Sequence, residues 1–316
     1  MPTYNSIISR TDAAALIPEE VSARMLKALA ADSAVLNSFT RVPVAAAQVR
    51  FPILSALPVA YFVTGDTGLK QTSEVNWDNK YLNIEELAVI CPVPENVLDD
   101  TDFDIWNEVE PLIRQAIART LDDAVFFGTN APGTWPTDIA AACAAVTAPN
   151  SVVRGTAAAA AGGIAGDLSD VLSLLELEGY DASQLIARTT LKGLLRNARN
   201  VDGDRHPEVD QNNVYGASVS YPMRGLWPTA LSSPELFALD PAEFVVGVRS
   251  DISIKVLDQA VIQDGAGAIV YNLAQQDMVA TRVTFRVGWQ VSNTINYDEP
   301  TEADRYPAAF LESPAA

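Results

Sequence analysis

Few side chains in this sequence carry the chemistry of a reactive centre, and most of them fail on spacing. His206 is the only imidazole. A nucleophile–base pair would need a Ser or Cys beside it in space. It lies in DGDRHPE, a hydrophilic turn, and reads as a surface loop residue. Asp99, Asp100, Asp102 and Asp104 alternate as calcium ligands do. A calcium loop of the helix–loop–helix type needs Gly at its sixth position and Glu at its twelfth. Counted from Asp100, those positions hold Ile105 and Pro111. The run therefore reads as charge at a helix entry, with weak cation binding between subunits as the alternative. Asp122-Asp123 and Glu85-Glu86 are adjacent pairs whose side chains point in different directions, so neither makes a carboxylate dyad. Residues 162–166 (GGIAG) lack the order of a dinucleotide loop and follow an alanine run rather than a strand. They read as a flexible connector. Cys91 and Cys143 read as reduced core thiols, and two cysteines exclude a disulfide scaffold, a multi-cysteine zinc site and an iron–sulfur cluster. No enzyme activity, metal or cofactor is expected.

What remains is charge. Forty acidic residues against 21 basic ones leave a formal net charge of −19. Affinity for phosphates comes mainly from Lys and Arg, so the chain is a poor candidate for a general nucleic-acid binder. Copies of such a chain repel one another unless contacts outweigh the charge. Arg188, Lys192 and Arg196 are spaced i, i+4, i+8 and would form a basic stripe if helical throughout. The stripe reads as a solvated face, as a contact with acidic neighbours, or as a nucleic-acid contact that lacks interleaved aromatics. Lys70 reads as a solubilising loop-tip charge, or as a salt bridge or covalent link to another copy.

The elements that position these groups follow from periodicity. Residues 18–31 carry Val21, Met25 and Leu29 at helical spacing behind Pro18, Glu19 and Glu20. Between residues 41 and 90, Pro43, Pro52 and Pro58 punctuate strand-like text around the turn cluster 65–68. This predicts a long, twisted β-hairpin with little apolar material of its own, which needs something to lie upon. Residues 104–127 give the strongest helix, with a stripe of Ile105, Val109, Leu112, Ile113, Ala116, Ile117, Leu121, Ala124 and Val125. Pro111 should kink it or mark a tighter first turn, and Gly128 suits the position after its end. Residues 131–166 read as loop. Helices are expected over 167–177 and 190–197, and strands over 185–187, 244–248 and 252–257. Residues 281–291 alternate, with Val283, Phe285, Val287 and Trp289 on one face and Arg282, Thr284 and Arg286 on the other. The mixture reads as α+β. Residues 1–10 lack the apolar stretch of a secretory signal, and no apolar run approaches the roughly 20 residues of a membrane span.

In order, these features resemble the major capsid protein of tailed bacteriophages with the Hong Kong 97-like fold, to which encapsulins are related. ADSAVLNSFTRVPV (31–44) looks like that family's N-terminal arm. The stretch AYFVTGDTGLKQTSEVNWDNKYLNIEELAVICPVPENVLDD (60–100) looks like its extended loop and return strand. IWNEVEPLIRQAIARTLDDAVFFGT (105–129) looks like its spine helix. Residues 167–204 look like the axial domain, and 244–260 with 272–293 like the closing strands.

The resemblance implies an arm over 1–40, an extended hairpin loop over 41–90, a peripheral domain over 91–160 and 275–316 with the spine helix at 104–127, and an axial domain over 161–274. It implies a head protein that self-assembles as hexamers and pentamers into an icosahedral shell enclosing double-stranded DNA, without sequence-specific binding. The expected location is the virion capsid, assembled in the host cytoplasm. The expected partners are other copies, a portal protein, and scaffold or decoration proteins; no membrane is involved. With the arm starting almost at Met1, no long scaffolding region is expected ahead of it. Asp66, Lys70, Glu74, Arg188, Lys192, Arg196, Arg282 and Arg286 are the candidate inter-subunit contacts. Some family members join a hairpin lysine to an asparagine of another subunit; Lys70 is placed for that, with no partner assigned. The alternatives are an encapsulin-like nanocompartment around a cargo protein and, from another class, a hydrolase using His206 and a serine.

Overall fold

The structure, a computed structural model, describes residues 29, 32–63, 68–95, 105–158, 161–199, 203–222, 227 and 233–314. Along the chain come α1 (Ala34–Ser38), β1 (Thr40–Pro43), β2 (Gln48–Ala56), β3 (Asn76–Asn83), β4 (Glu85–Pro94) and the long α2 (Ile105–Phe127). There follow α3 (Ile139–Ala145), β5 (Ser151–Val153), α4 (Ile164–Leu177), β6 (Gln184–Ala187), α5 (Leu191–Arg196), β7 (Asn213–Val214), β8 (Ala217–Ser220) and β9 (Pro234–Leu239). Last come β10 (Phe244–Leu257), β11 (Val261–Gln263), β12 (Ile269–Asn272), α6 (Leu273–Gln276), β13 (Met278–Val291) and β14 (Ala308–Glu312).

Two larger sheets organise this mixed α and β architecture. One runs β1-β10-β13-β4, the other β5-β14-β9-β6-β8-β7. Strand side chains alternate between faces, and in the six-stranded sheet both faces are apolar. Ile186, Phe237, Leu239, Ala308 and Phe310 face one core, shared with α1, α2, α3 and the four-stranded sheet. Leu185, Ala187, Leu236, Ala238, Ala309 and Leu311 face a second core, shared with α4 and α5. In the four-stranded sheet, Val283, Phe285, Val287 and Trp289 are buried, as their alternation predicts.

Several expectations are corrected. Residues 131–166 are not all loop: they hold α3, β5 and the start of α4. Asp138 starts α3 by accepting from the Ala141 N–H at 3.0 Å. Residues 162–166 are a helix entry rather than a flexible connector, since a Cβ on Gly166 would meet the Ala161 carbonyl oxygen and the Ala157 methyl. The strands read at 244–248 and 252–257 are one strand, β10, with irregular register against β13 between Val248 and Ser253. On α2 the buried line runs through Ile113, Ile117, Ala118, Leu121, Ala124, Val125 and Phe126, whereas Ala116 is exposed and Leu112 is 63% exposed. The helix contains Pro111 within its span and ends, as expected, before Gly128, at φ +66°. Most of the helix read over 18–31, the acidic run 99–104 and Asp66 lie outside the described residues. Leu29, which is described, is fully buried.

β2 and β3 pair in antiparallel register from Gln48↔Asn83 to Ala56↔Asn76, so the predicted hairpin exists. It is anchored where the return strand crosses the four-stranded sheet. Gly247 and Gly288 stand opposite each other there on β10 and β13. A Cβ on Gly247 would strike the fully buried Leu82 side chain, and one on Gly288 would strike the Asn83 carbonyl oxygen. The Gln290 amide donates to the Tyr81 carbonyl at 2.9 Å, and the Asn83 amide to the Thr134 carbonyl at 2.8 Å. Gly288→Ala is therefore expected to destabilise the subunit by about 1–3 kcal/mol, the usual cost of overpacking. Denaturant unfolding of the unassembled chain measures it, and an unchanged midpoint would show that the crossing tolerates a methyl group.

Candidate assembly surfaces

The hairpin has an inward and an outward face. Cross-strand partners Val49/Leu82, Phe51/Lys80 and Ile53/Asp78 share one side; Arg50/Tyr81, Pro52/Asn79 and Leu54/Trp77 share the other. Trp77 and Tyr81 are exposed on that second side. Beyond the strands the two arms stay linked: Ser73 Oγ accepts from the Val59 N–H at 2.7 Å, and the Tyr61 hydroxyl donates to the Gln71 carbonyl at 3.0 Å. Near the apex Phe62 is fully exposed and Leu69 is 89% exposed, with Val59 also open to solvent. Lys70 and Glu74 are exposed beside them. A structured ribbon that displays this much apolar surface marks an interaction site.

A buried carboxylate fixes the segment that leads into β1. Asp122, on the core side of α2, accepts from Ser33 Oγ at 2.6 Å and from the Ala34 and Val35 N–H groups at 2.8 and 3.1 Å. It thereby satisfies the free donors at the start of α1, a favourable place for an anion. Arg114, further up α2, pairs with Asp32 at 2.6 Å. The adjacent Asp122 and Asp123 point in different directions, and only Asp122 faces the core. Its structural role was not legible from adjacency alone.

The remaining candidates are spread over the molecule. Arg286 pairs with Glu86 across the β13–β4 register, Nε at 2.9 Å and Nη2 at 2.8 Å from one carboxylate oxygen. Arg282 stands between Lys255 and Ile90 on the same sheet. Arg188 precedes α5 rather than lying on it, so the three cations are not one helical stripe. Lys192 sits 4.1 Å above the Tyr221 ring, and Arg196 Nε donates to the Lys192 carbonyl at 3.3 Å. His206 Nδ1 accepts from the Glu208 N–H at 3.3 Å while its ring lies edge-on to Tyr215, a turn-building arrangement. Cys143 is buried, its thiol pushed well up by burial and donating to the Ala308 carbonyl; Cys91 is half-buried, and both are free. Among the described residues no cluster of His, Cys, Asp and Glu could hold a metal ion, and no helix is long and apolar enough to cross a membrane.

Comparison with known proteins decides among readings of this arrangement. The pattern of the phage capsid family matches residues 13–295. The chain belongs to the phage capsid family. The major capsid protein of Staphylococcus phage 80alpha is 25% identical over 291 residues, spanning 90% of this chain and 85% of that protein. A solved chain from Microbacterium phage Oxtober96 is 33% identical, with a TM-score of 0.76 over 98% of this chain and 100% of that one. One from Mycobacterium phage Adephagia is 30% identical, with a TM-score of 0.78 over 98% and 99%. The protein is thus a bacteriophage major capsid protein, a self-associating component of the virion shell, in a structural family rather than an enzyme class.

Burial raises the Asp122 carboxyl from 3.8 to about 6, against the opposing effect of its three donors; the Asp123 charge adds a little. A carboxyl raised in the folded state contributes stability that is present below about pH 4 and lost as pH rises through about 6. The shift corresponds to about 3 kcal/mol. Asp122→Asn is expected to remove this component, so the stability gap between variant and parent should change between pH 4 and pH 6.5. Denaturant unfolding of unassembled subunits at both pH values tests it, and a constant gap would refute the assignment.

Proposed function

We propose that this protein forms hexamers and pentamers that close into an icosahedral shell around double-stranded phage DNA. The subunit has a Hong Kong 97-like plan. Residues 1–40 are the arm, and 41–90 the extended loop. Residues 91–160 and 275–316 build the peripheral domain around the spine helix α2, and residues 161–274 the axial domain. β10 crosses back from the axial part to the four-stranded sheet, and β14 returns to the six-stranded one. The shell contains DNA without reading its sequence. A portal protein and scaffold or decoration proteins complete the particle, and assembly takes place in the host cytoplasm.

The observation that carries this reading is the hairpin apex, whose Phe62 and Leu69 are solvent-exposed on the lone subunit. Heterologous contacts of one surface with a different surface of the next copy generate rings when the rotation closes. An apolar apex reaching onto a neighbour is such a contact, with the exposed Lys70 and Glu74 beside it. Arg282, directly opposite the like charge of Lys255, gains from an acid supplied by a neighbouring copy. A similar fold with 18% identity and a TM-score of 0.61 occurs in the capsid of a native GTA particle computed with C5 symmetry.

Negative-stain microscopy of the purified chain should show uniform polyhedral particles. Phe62→Asp with Leu69→Asp should leave the circular dichroism of the subunit unchanged and abolish those particles. Particles from a phage lysate should protect double-stranded DNA from nuclease. Persistent monomers of the unsubstituted chain, or a protein cargo in place of DNA, would overturn the proposal.

A further inference from the structure

The charge of this chain is not spread evenly around the six-stranded sheet. Residues 155–187 contain five carboxylates and no Lys or Arg, while residues 182–201 contain four cations and no Asp or Glu. The fold turns these overlapping stretches into two different surfaces. On α4, Asp167 faces inward and accepts from the Gly155 and Ala157 N–H groups at 2.7 Å. Asp170, Glu176 and Leu177 face outward, the leucine 75% exposed, and Asp181 is exposed just past the helix end. At 100° per residue, Asp170, Ser173, Glu176 and Leu177 fall within an arc of about 120°. On α5, Leu191 and Leu195 are buried, which turns Lys192 and Arg196, about 40° apart around the helix, toward solvent on one flank. Arg199 is exposed just beyond, and Arg188 is half-buried just before.

The two surfaces are opposite in sign, and the acidic one carries the exposed Leu177 among its charges. Asp170, Glu176 and Asp181 take part in no salt bridge among the described residues, and neither do Lys192, Arg196 and Arg199. Lys192 is held over Tyr221, which limits the freedom it would lose on pairing. Where copies of a chain with net charge −19 must meet, a local cationic face is the place where approach is favoured rather than opposed. A nucleic-acid strand would instead favour bases stacked between cations, whereas the aromatic at this edge, Tyr221, is covered by Lys192 and bonded to the Gln211 carbonyl.

We propose that the basic edge at α5 of one copy docks on the acidic outer arc of α4 in the next, a head-to-tail contact that repeats around a ring of subunits. Lys192 and Arg196 pair with Asp170 and Glu176, on either side of the exposed Leu177. The inference rests on the shell-forming function proposed above, and it identifies which parts of neighbouring copies meet away from the hairpin.

A charge exchange tests it. Particle yield is measured by velocity sedimentation and negative-stain microscopy for the unsubstituted chain, for Lys192→Glu with Arg196→Glu, for Asp170→Lys with Glu176→Lys, and for all four changes together. Each double variant is expected to lose about tenfold or more in yield while keeping its circular dichroism, the scale of effect seen when close interfacial charge pairs are broken. The fourfold variant is expected to regain most of that loss, which a merely misfolded double variant could not do. Doubles that assemble like the parent, or a fourfold variant no better than the doubles, would overturn the pairing and leave the shell function standing. A Lys192→Glu, Arg196→Glu chain that assembles normally but retains less DNA per particle would overturn it in favour of a nucleic-acid contact. Failure of the shell function reads differently, because the unsubstituted chain then forms no particles and both proposals fall.

Discussion

The structure depends on a sheet that is apolar on both faces. Because β6, β9 and β14 send alternate side chains into two different cores, neither core can loosen without disturbing the other. Packed interiors respond to strain as bodies with few voids rather than as fluids. The shared sheet thus makes one stiff plate from two halves that composition alone would describe as two domains. Polar groups reinforce the junction. Glu178, at the end of α4, accepts from the Tyr306 N–H at 2.7 Å and from the Asn150 amide at 3.0 Å, joining α4, the approach to β5 and the approach to β14. Its carboxyl is raised chiefly by burial.

The four-stranded sheet gives the hairpin a fixed root. An isolated two-stranded ribbon is marginal, so it holds a direction only if its root is fixed. The paired glycines at 247 and 288 let the return strand press onto the sheet. The Gln290 and Asn83 side chains then tie it to β13 and to the loop before α3. The capping of α1 by Asp122 fixes the opposite entry, immediately before β1. Both attachments are made to the four-stranded sheet and the long helix beside it, so forces arriving through the hairpin reach the part of the subunit with the longest continuous elements.

What could be read in the sequence followed from how many faces each element buries. β13 buries one face, and its alternation was plain; α2 and α4 were visible because an amphipathic helix repeats its pattern. β9 and β14 bury both faces, so PELFAL and AAFLE show apolar runs without period, which periodicity cannot assign. The alanine-rich α3 shows no apolar period, and its one sequence signal is Asp138, whose carboxylate caps it three residues before Ala141. Leu112 and Ala116 belong to the helical pattern yet stand exposed, which a sequence pattern cannot distinguish from burial within one chain. The hairpin was legible through its prolines and turn residues. The glycine pair beneath it was not, because the need for glycine arises only when distant strands cross.

The exposed apex also has a meaning for the time before any shell exists. A free subunit carries exposed apolar surface near the end of its hairpin, and every such subunit in solution is a candidate for indiscriminate association. Its surplus of 19 negative charges acts over a longer range than those apolar contacts, out to a screening length of about 8 Å at physiological ionic strength. Two subunits therefore feel repulsion first and adhesion only after close, well-aligned approach. Such a combination slows the first encounters more than later additions to a formed edge, where several contacts are gained at once. The same side chains that would bind neighbours in the finished particle thus set a nucleation threshold, below which the subunits remain a dispersed pool.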